Sequence, residues 1–306
     1  MHCAKFVLVA VAAAVCAPAQ ESQAVADAKL LLREAGALVQ EADELQQSSI
    51  ATNVSGQQAR AGDVAGALAT IQSVRNPVAP GQLYSGLTSH MAAHGNWSDA
   101  MKLLADLPEG SGRSISYFGI GSILAHQHDF ANARLVAYAI QQEPDGGSQY
   151  RDLLALIASE EGSSPRQAMA AHASQATLDQ VRSMQPGATR AQAFAQLAMQ
   201  QAAQKDPAAP VTVTLAQEDA RTTAGVPSQT FEMIAVTRGA TGDLPGALSV
   251  VNQLDPSSRA WPLWNLTGMM VHAGQRNEAL AIARSQESRT ARAYALLGIA
   301  SALLDK

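Results

Sequence analysis

The sequence has few of the residues that build a thick core. Only 4% of its 306 residues are aromatic and 15% are charged, whereas 47% are hydrophobic, with alanine prominent among them. Alanine is the best helix former and is too small to fill a deep core, so this composition favours thin layers of packed helices over a large β-sandwich. We therefore expect an all-α protein.

Cysteine is also scarce, occurring only at Cys3 and Cys16. Both lie in a segment typical of a secretory signal peptide, with an apolar run at 6–15 followed by the small-x-small pattern 17–19. The pattern predicts that residues 1–19 are cleaved off and that a chain without thiols is exported, either to the periplasm or out of the cell. Two alternatives stay open, namely acylation of Cys16 and retention of the apolar run as a membrane anchor.

Positive charge is in short supply as well. The formal net charge is −5 and the isoelectric point is near 5.8. A general nucleic-acid binder needs a basic stripe that neutralises phosphates, so we expect no nucleic-acid partner. We also expect no integral membrane span in the exported chain.

One short signature recurs along the chain at nearly constant spacing. It is a glycine or polar residue, then Asp or Asn, two to three residues, and then alanine. The first three copies start 33 residues apart and the last two 32 apart, at Gly62, Gly95, His128, Gly242 and Gly274. Each copy fits a helical hairpin, in which the first residue ends one helix, Asp or Asn caps the next, and the alanine lies where the two helices cross.

This spacing resembles the tetratricopeptide repeat family, whose unit of about 34 residues places large and small residues at fixed offsets. The third copy matches best, with Tyr117, Ile120 and Leu124 in the first helix and Ala133 at the small crossing position. The resemblance covers 48–306. It implies a right-handed α-solenoid of stacked antiparallel hairpins whose concave face, lined by first helices, binds a protein or peptide rather than catalysing a reaction.

The two ends of the chain are consistent with an array. Residues 20–47 contain an amphipathic segment with an acidic face, predicted to form one N-terminal capping helix, and 292–304 is predicted to form a lone closing helix. Since hairpins bury their apolar faces only against neighbours, everything after the signal segment is expected to form one domain and to be monomeric.

The middle of the array fits the family less well. An extra residue near Gly162 lengthens one turn, and Pro165 is predicted to open the next helix. The β-branched run 211–215 is compatible with a strand, but Pro210 suits a helix start and Gly225 a helix end, so we predict a helix there.

Polar and aromatic residues of the first helices are the candidate partner-binding residues. These are Tyr84, His90, Tyr117, Asn265 and Tyr294. Trp261 and Trp264 are interpreted mainly as packing residues, with an exposed binding anchor as the alternative. The late arginines, Arg276, Arg284, Arg289 and Arg292, are interpreted as a solvated face, with a patch for an acidic partner as the alternative.

Histidine supplies the competing hypothesis. His90, His94, His126 and His128 are expected to lie in one neighbourhood, and zinc or copper accepts such ligands. The segment 90–94 lacks the glutamate that follows the first histidine of helical zinc proteases, so it brings no general base. We predict no cofactor and no enzymatic activity; a metal-binding protein is the second hypothesis, and a structural part of a cell-envelope assembly the third.

Overall fold

The computed structural model describes residues 22–75, 77, 80–108, 112–162 and 178–305. All regular secondary structure in these ranges is helical, which confirms the all-α class for them. The signal segment, both cysteines and Pro165 lie outside the described residues. The α-helices are α1 (Gln23–Ala37), α2 (Glu44–Arg60), α3 (Val64–Gln72), α4 (Pro80–Leu83), α5 (Ser85–Ala93), α6 (Trp97–Ala105), α7 (Arg113–His126), α8 (Phe130–Gln141), α9 (Gly147–Gly162), α10 (Leu178–Ser183), α11 (Ala188–Ala203), α12 (Ala209–Thr222), α13 (Ser228–Ala240), α14 (Leu244–Gln253), α15 (Ala260–His272), α16 (Arg276–Ser285) and α17 (Arg289–Leu304).

The five signature turns share one backbone geometry. Their first residues, including the non-glycine His128, have φ between 59° and 92°. The residue that follows each of them donates its backbone N–H to the carbonyl five positions earlier, at 2.8 Å in every copy. This left-handed residue with a 6→1 hydrogen bond is a Schellman helix end, so the predicted turns are confirmed. The turn predicted at 205–207 has the same geometry, with φ 57° at Lys205.

Three of the predicted helix caps form. The carboxylates of Asp63, Asp129 and Asp243 accept the backbone N–H three residues on, at 3.1, 3.3 and 2.9 Å. Asn96 makes no such hydrogen bond. The caps satisfy N–H groups that the first turn of a helix otherwise leaves unpaired.

The signature alanines lie in the interior. None of the five has exposed surface; they are Ala67, Ala100, Ala133, Ala247 and Ala279. A side chain of this size lets the two helices of a hairpin approach closely, as the sequence predicts.

The helices contact one another in a repeat-like pattern. Hairpins form between α2 and α3, α5 and α6, α7 and α8, α11 and α12, α13 and α14, and α15 and α16. First helices also contact one another in two runs, from α2 through α5 and α7 to α9, and from α11 through α13 to α15. We call α2, α5, α7, α9, α11, α13, α15 and α17 the first helices, and their hairpin partners the second helices.

The terminal helices α1 and α17 do not lie where the sequence predicts. They were expected as caps at opposite ends, but they pack against each other, and α17 also contacts the first helices α15 and α2. One hydrophobic cluster consequently includes core residues from 28–87 and from 181–303. The order of contacts along the row of first helices is therefore α11, α13, α15, α17, α2, α5, α7 and α9, with α1 as the second helix beside α17.

Ion pairs join the N-terminal helix to its neighbours. Arg276 and Arg284 of α16 reach Asp27 and Glu34 of α1 at 2.6 and 3.0 Å. On the other side, Arg33 of α1 reaches the cap Asp63 at 3.1 Å. The acidic face predicted for this helix thus contacts a basic face from the far end of the chain.

Two helix boundaries differ from the sequence interpretation. The predicted single helix within 20–47 is broken: α1 ends at Ala37, a 3₁₀ turn follows at Leu38–Glu41, and α2 begins at Glu44. Asp43 is extended before α2, and burial of Leu38 and Val39 holds the turn between the two helices. Tyr84 interrupts the next first helix, since it lies in a turn between α4 and α5.

The β-branched run of 211–215 is helical. It lies inside α12, with Pro210 in the first turn, and Gly225 has φ 76° just beyond the end of the helix. Burial of Thr212 and Val213 against neighbouring helices outweighs the weak strand preference of the run. Within the described ranges, none of the helices combines the length and the hydrophobicity that a membrane span requires.

Candidate functional site

A pocket of about 430 Å³ opens where α17 meets the first helices on either side of it. Its walls come from α2, α13, α15 and α17, together with the short 3₁₀ helix Pro256–Ser258. The pocket exists because the N-terminal and C-terminal parts of the chain are neighbours. All four α-helices that line it are first helices.

Aromatic rings form one side of the pocket. Trp261 and Trp264 lie one helical turn apart on α15, so they share a face, and buried Pro262 and Leu263 anchor that segment in the core. Trp261 is 40% exposed, which is unusual for so large an apolar side chain. The ring of Trp264 lies 5.8 Å from the ring of Tyr294, centroid to centroid.

Polar side chains of α2 and α17 form the opposite side. Ser49 and Asn53 contact the hydroxyl of Tyr294, at 2.8 Å from the serine oxygen and 3.1 Å from the amide nitrogen. Thr290 donates a hydrogen bond to the amide oxygen of Gln46. These bonds fix the orientation of the tyrosine ring, so the pocket is organised before any ligand enters.

Glu232 of α13 is the charged residue among the described residues that line the pocket. It is half-buried, and burial raises the pKa of its carboxyl group, an effect that the neighbouring hydroxyl of Ser258 partly offsets. No ion pair among the described residues includes Glu232. Its carboxylate is therefore partly desolvated without a compensating cation.

A shallower depression of about 210 Å³ lies on the other side of Trp264. Asn265 and Gly298 line it, and the amide of Asn265 donates to the backbone oxygen of Trp261 at 2.9 Å. The indole of Trp264 thus separates two adjacent concavities on the same face.

The five candidate binding residues fall into two groups. Tyr294 and Asn265 lie at these neighbouring pockets. Tyr84, His90 and Tyr117 lie in the region of α5 and α7, apart from that site. Tyr117 is only 4% exposed and Tyr84 is half-buried; burial raises the pKa of both phenols. Packing is the role that the structure gives to these two tyrosines.

The four histidines do not converge as the metal hypothesis expects. His90 and His94 are neighbours, with ring centroids 4.1 Å apart, but His126 contacts Glu160 and His128 packs edge-on against Phe130. Among the described residues, no three histidine, aspartate or glutamate side chains are arranged to hold a metal ion. Burial, followed by the charges of His94 and Arg60, lowers the pKa of His90.

The late arginines have partners within the chain. Arg276, Arg284 and Arg289 form ion pairs with Asp27, Glu34 and Glu41, and Arg292 donates to the backbone oxygen of Gln286. The first three therefore join the two ends of the chain, Arg292 is held by its own neighbourhood, and the four do not form a free patch for an acidic partner.

Sequence reasoning missed Gln46, Ser49, Asn53 and Glu232. The first three lie more than 240 residues before the side chains of α17 that they contact. A signal was present, because acidic residues recur every seven positions, at Asp27 and Glu34 of α1 and at Glu41 of the 3₁₀ turn, and match arginines near the C-terminus. Pairing of these charges predicts that α1 and α16 are neighbours.

Comparison with known proteins finds no match, whether among family models, curated proteins or solved structures.

Proposed function

We propose that this protein is an exported interaction scaffold that binds a protein or peptide segment in a concave groove. The observation that carries the proposal is the pocket beside α17, whose α-helical walls are all first helices. In a solenoid of hairpins, the first helices line one face, and the small rotation between repeats makes that face concave.

The architecture proposed is a right-handed, tetratricopeptide-like α-solenoid. Three observations support it: the recurring turns, the buried alanines at the crossings, and the contacts between successive first helices. In this arrangement α17 and α1 together form one central repeat, and the pocket lies at the middle of the groove.

Binding is proposed rather than catalysis because of the chemistry that lines the pocket. Its polar groups are mostly amides and hydroxyls, and several already bond to one another. Glu232 is the only carboxylate in the described lining, whereas acid–base hydrolysis of the glycosidase type needs two facing carboxylates. Rigid aromatic residues beside hydrogen-bonding groups are typical of binding surfaces.

Export and a monomeric state are further parts of the proposal. Export depends on the signal pattern of residues 1–19 and the periplasm or the external medium is the proposed location. A monomer is proposed because stacking within one chain already covers the apolar faces of its hairpins.

Selection of peptides from a random display library on purified residues 20–306 tests the proposal. The affinity of a selected peptide is then measured for the wild type, for Trp264→Ala and for Asn53→Ala. We expect Trp264→Ala to cost about 2 kcal/mol or more of binding free energy, as a buried aromatic anchor does, with the helical circular dichroism retained.

Substitutions on second helices are the matched controls. Lys102 of α6 and Arg134 of α8 are exposed, and each forms an ion pair near its own hairpin. We expect Lys102→Ala and Arg134→Ala to leave affinity unchanged. Loss of affinity in these two variants, with none in Trp264→Ala, would assign the partner to the opposite face and refute the proposal.

A further inference from the structure

The pocket beside α17 combines two features that are found together nowhere else among the pockets described. It has exposed indole surface, from Trp261 and Trp264, and an unpaired carboxylate, from Glu232. An indole face attracts cations through its quadrupole, and among aromatic side chains tryptophan does so best. A carboxylate at the same opening adds a full negative charge.

Glu232 differs from two other partly buried carboxylates, one on α12 and one in the turn after α13. Asp219 is held by the guanidinium of Arg190 at 2.6 Å, and Asp243 by that of Arg238 at 2.7 Å. Glu232 has no cation partner among the described residues, and the neighbour that lowers the pKa of its carboxyl group is the neutral hydroxyl of Ser258. A partly desolvated carboxylate without a cation gains most from a ligand that brings one.

Two arginines adjacent in sequence to residues that line the pocket are engaged elsewhere. Arg259 donates to the backbone oxygens of Leu254 and Asn252, at 2.9 and 3.0 Å. Arg289 pairs with Glu41 at 2.7 Å. These arginines are therefore held by existing contacts, and the negative charge of Glu232 stays available to a ligand.

The size and the remaining walls of the pocket fit a side chain carried by a peptide. Its volume of about 430 Å³ lies in the range of ligand pockets, about 300–1,000 Å³. The hydroxyl and amide groups of Ser49, Asn53 and Tyr294 on the opposite side are suited to backbone groups of a bound segment. A charged group at the indoles and a polar backbone along α2 would use both walls.

We propose that Glu232, Trp261 and Trp264 form a subsite for a positively charged side chain, arginine or lysine, of the bound peptide. This inference depends on the proposed function, because it names the chemistry of the partner that the groove binds. The guanidinium or ammonium group stacks on the indole surface and donates hydrogen bonds to the carboxylate of Glu232. The peptide backbone lies towards Asn53 and Tyr294.

A double-mutant cycle on a peptide selected against the wild-type protein tests this subsite. The basic residue of the peptide is replaced by citrulline, which keeps the shape of arginine without its charge, or by norleucine for lysine. On the protein side, Glu232→Gln removes the charge and keeps the side chain nearly isosteric. We expect each single change to weaken binding about tenfold, and the double change to weaken it little further.

Glu278→Gln is the matched control, since Glu278 is an exposed carboxylate on the second helix α16. We expect it to bind like the wild type. Denaturation midpoints of both variants test whether the fold is kept. Because Glu232→Gln removes only a partly desolvated charge, we expect it not to destabilise the protein.

The outcomes separate this inference from the function on which it depends. Selected peptides can lose affinity with Trp264→Ala and yet contain no basic residue, or bind the Glu232→Gln variant as tightly as the wild type. Either result refutes the subsite and leaves the groove as a binding site. If none of the selected peptides depends on the groove for binding, both the subsite and the proposed function are refuted. N-acetylarginine amide, tested alone, should bind far more weakly than the peptide; equal affinity means a site for a free organic cation and contradicts the assignment to a peptide side chain.

Discussion

The pair formed by α15 and α16 and the pair formed by α17 and α1 occupy equivalent places in the helix row, but only the first is joined by the chain. A turn at Gly274 connects α15 to α16, with the Schellman hydrogen bond from Gln275 to Met270. No such turn connects α17 to α1. Side-chain contacts hold α1 in place instead.

Two kinds of contact replace the missing turn. The first is apolar: Ala28, Leu31, Leu32 and Ala35 of α1 are buried. The second is ionic, from the arginines of α16. The comparison shows that the position of a helix in this array follows from the chemistry of its faces and does not require neighbouring sequence.

Truncation of Leu32 is expected to destabilise the protein most, because Leu32 anchors α1 in the core. It has no exposed surface, like Leu104 in the hairpin of α5 and α6. We expect Leu32→Ala and Leu104→Ala each to lower the free energy of unfolding by about 2–5 kcal/mol, measured by urea denaturation. A much smaller loss for Leu32→Ala would mean that α1 is a loosely attached end.

The contact between α15 and α17 is the next test. A Cβ atom at Gly298 would lie 2.0 Å from the backbone oxygen of Trp264, which has no room to move aside. We expect Gly298→Ala to cost about 1–3 kcal/mol and to weaken peptide binding, because it pushes the indole of Trp264 away from α17. Gly147→Ala is the control, since a Cβ there meets nothing within 4 Å; equal stability of the two variants would contradict the close approach.

The buried alanines at the helix crossings test the packing of hairpins whose two helices are consecutive in the chain. Ala100 and Ala133 have no exposed surface. We expect Ala100→Leu and Ala133→Leu to overpack the crossings at a cost of about 1–3 kcal/mol each. Unchanged denaturation midpoints would show that the repeat register is wrong.

The ionic part of the α1 contact has the smallest expected effect and depends on pH. The hydrogen bond from Arg276 lowers the pKa of Asp27 from its ordinary 3.8. A depressed folded pKa gives stability that is present above the ordinary value and lost as the pH falls through the lowered one. We expect Asp27→Asn to flatten the pH dependence of stability below about pH 4. The control Asp99→Asn, at an exposed pair with Lys102, should leave that dependence unchanged. Identical pH profiles for the wild type and Asp27→Asn would show that the pair of Asp27 with Arg276 does not contribute to stability.

Local features of the fold could be predicted from the sequence because they depend on short-range chemistry. A left-handed residue followed by Asp ends one helix and caps the next, as at Gly62 and Asp63, and Pro210 fixes the start of α12 against the strand preference of its β-branched run. Asn96 shows the limit, since its side chain suits a cap but makes no capping hydrogen bond.

The site could be predicted only in part, because it is assembled from distant segments. Tyr294 was recognisable as a candidate from its residue type and its position on a first helix, whereas the two tryptophans were interpreted mainly as packing residues, with a binding anchor as the alternative. Their partners on α2 were not, since Ser49 lies 245 residues before Tyr294. Periodicity assigns a face to each helix but does not state which face packs against which, and here charge complementarity across the whole chain decides it.

A circular permutant tests the order of the helices most directly. The ends to be joined both lie near the end of α15. A carboxylate oxygen of Asp305 is 3.8 Å from Nε2 of His272, the last residue of α15, and Asp27 pairs with Arg276 just after that helix. A short Gly-Ser linker from residue 305 to residue 22, with new termini opened between residues 162 and 178, makes every hairpin of the proposed array continuous. We expect this permutant to fold with the native helical circular dichroism and a urea midpoint equal to or above that of the natural order, whereas a permutant opened at the turn of Gly95 should be less stable. Failure of the first permutant to unfold cooperatively, or a midpoint below that of the second, would contradict the placement of α1 beside α17.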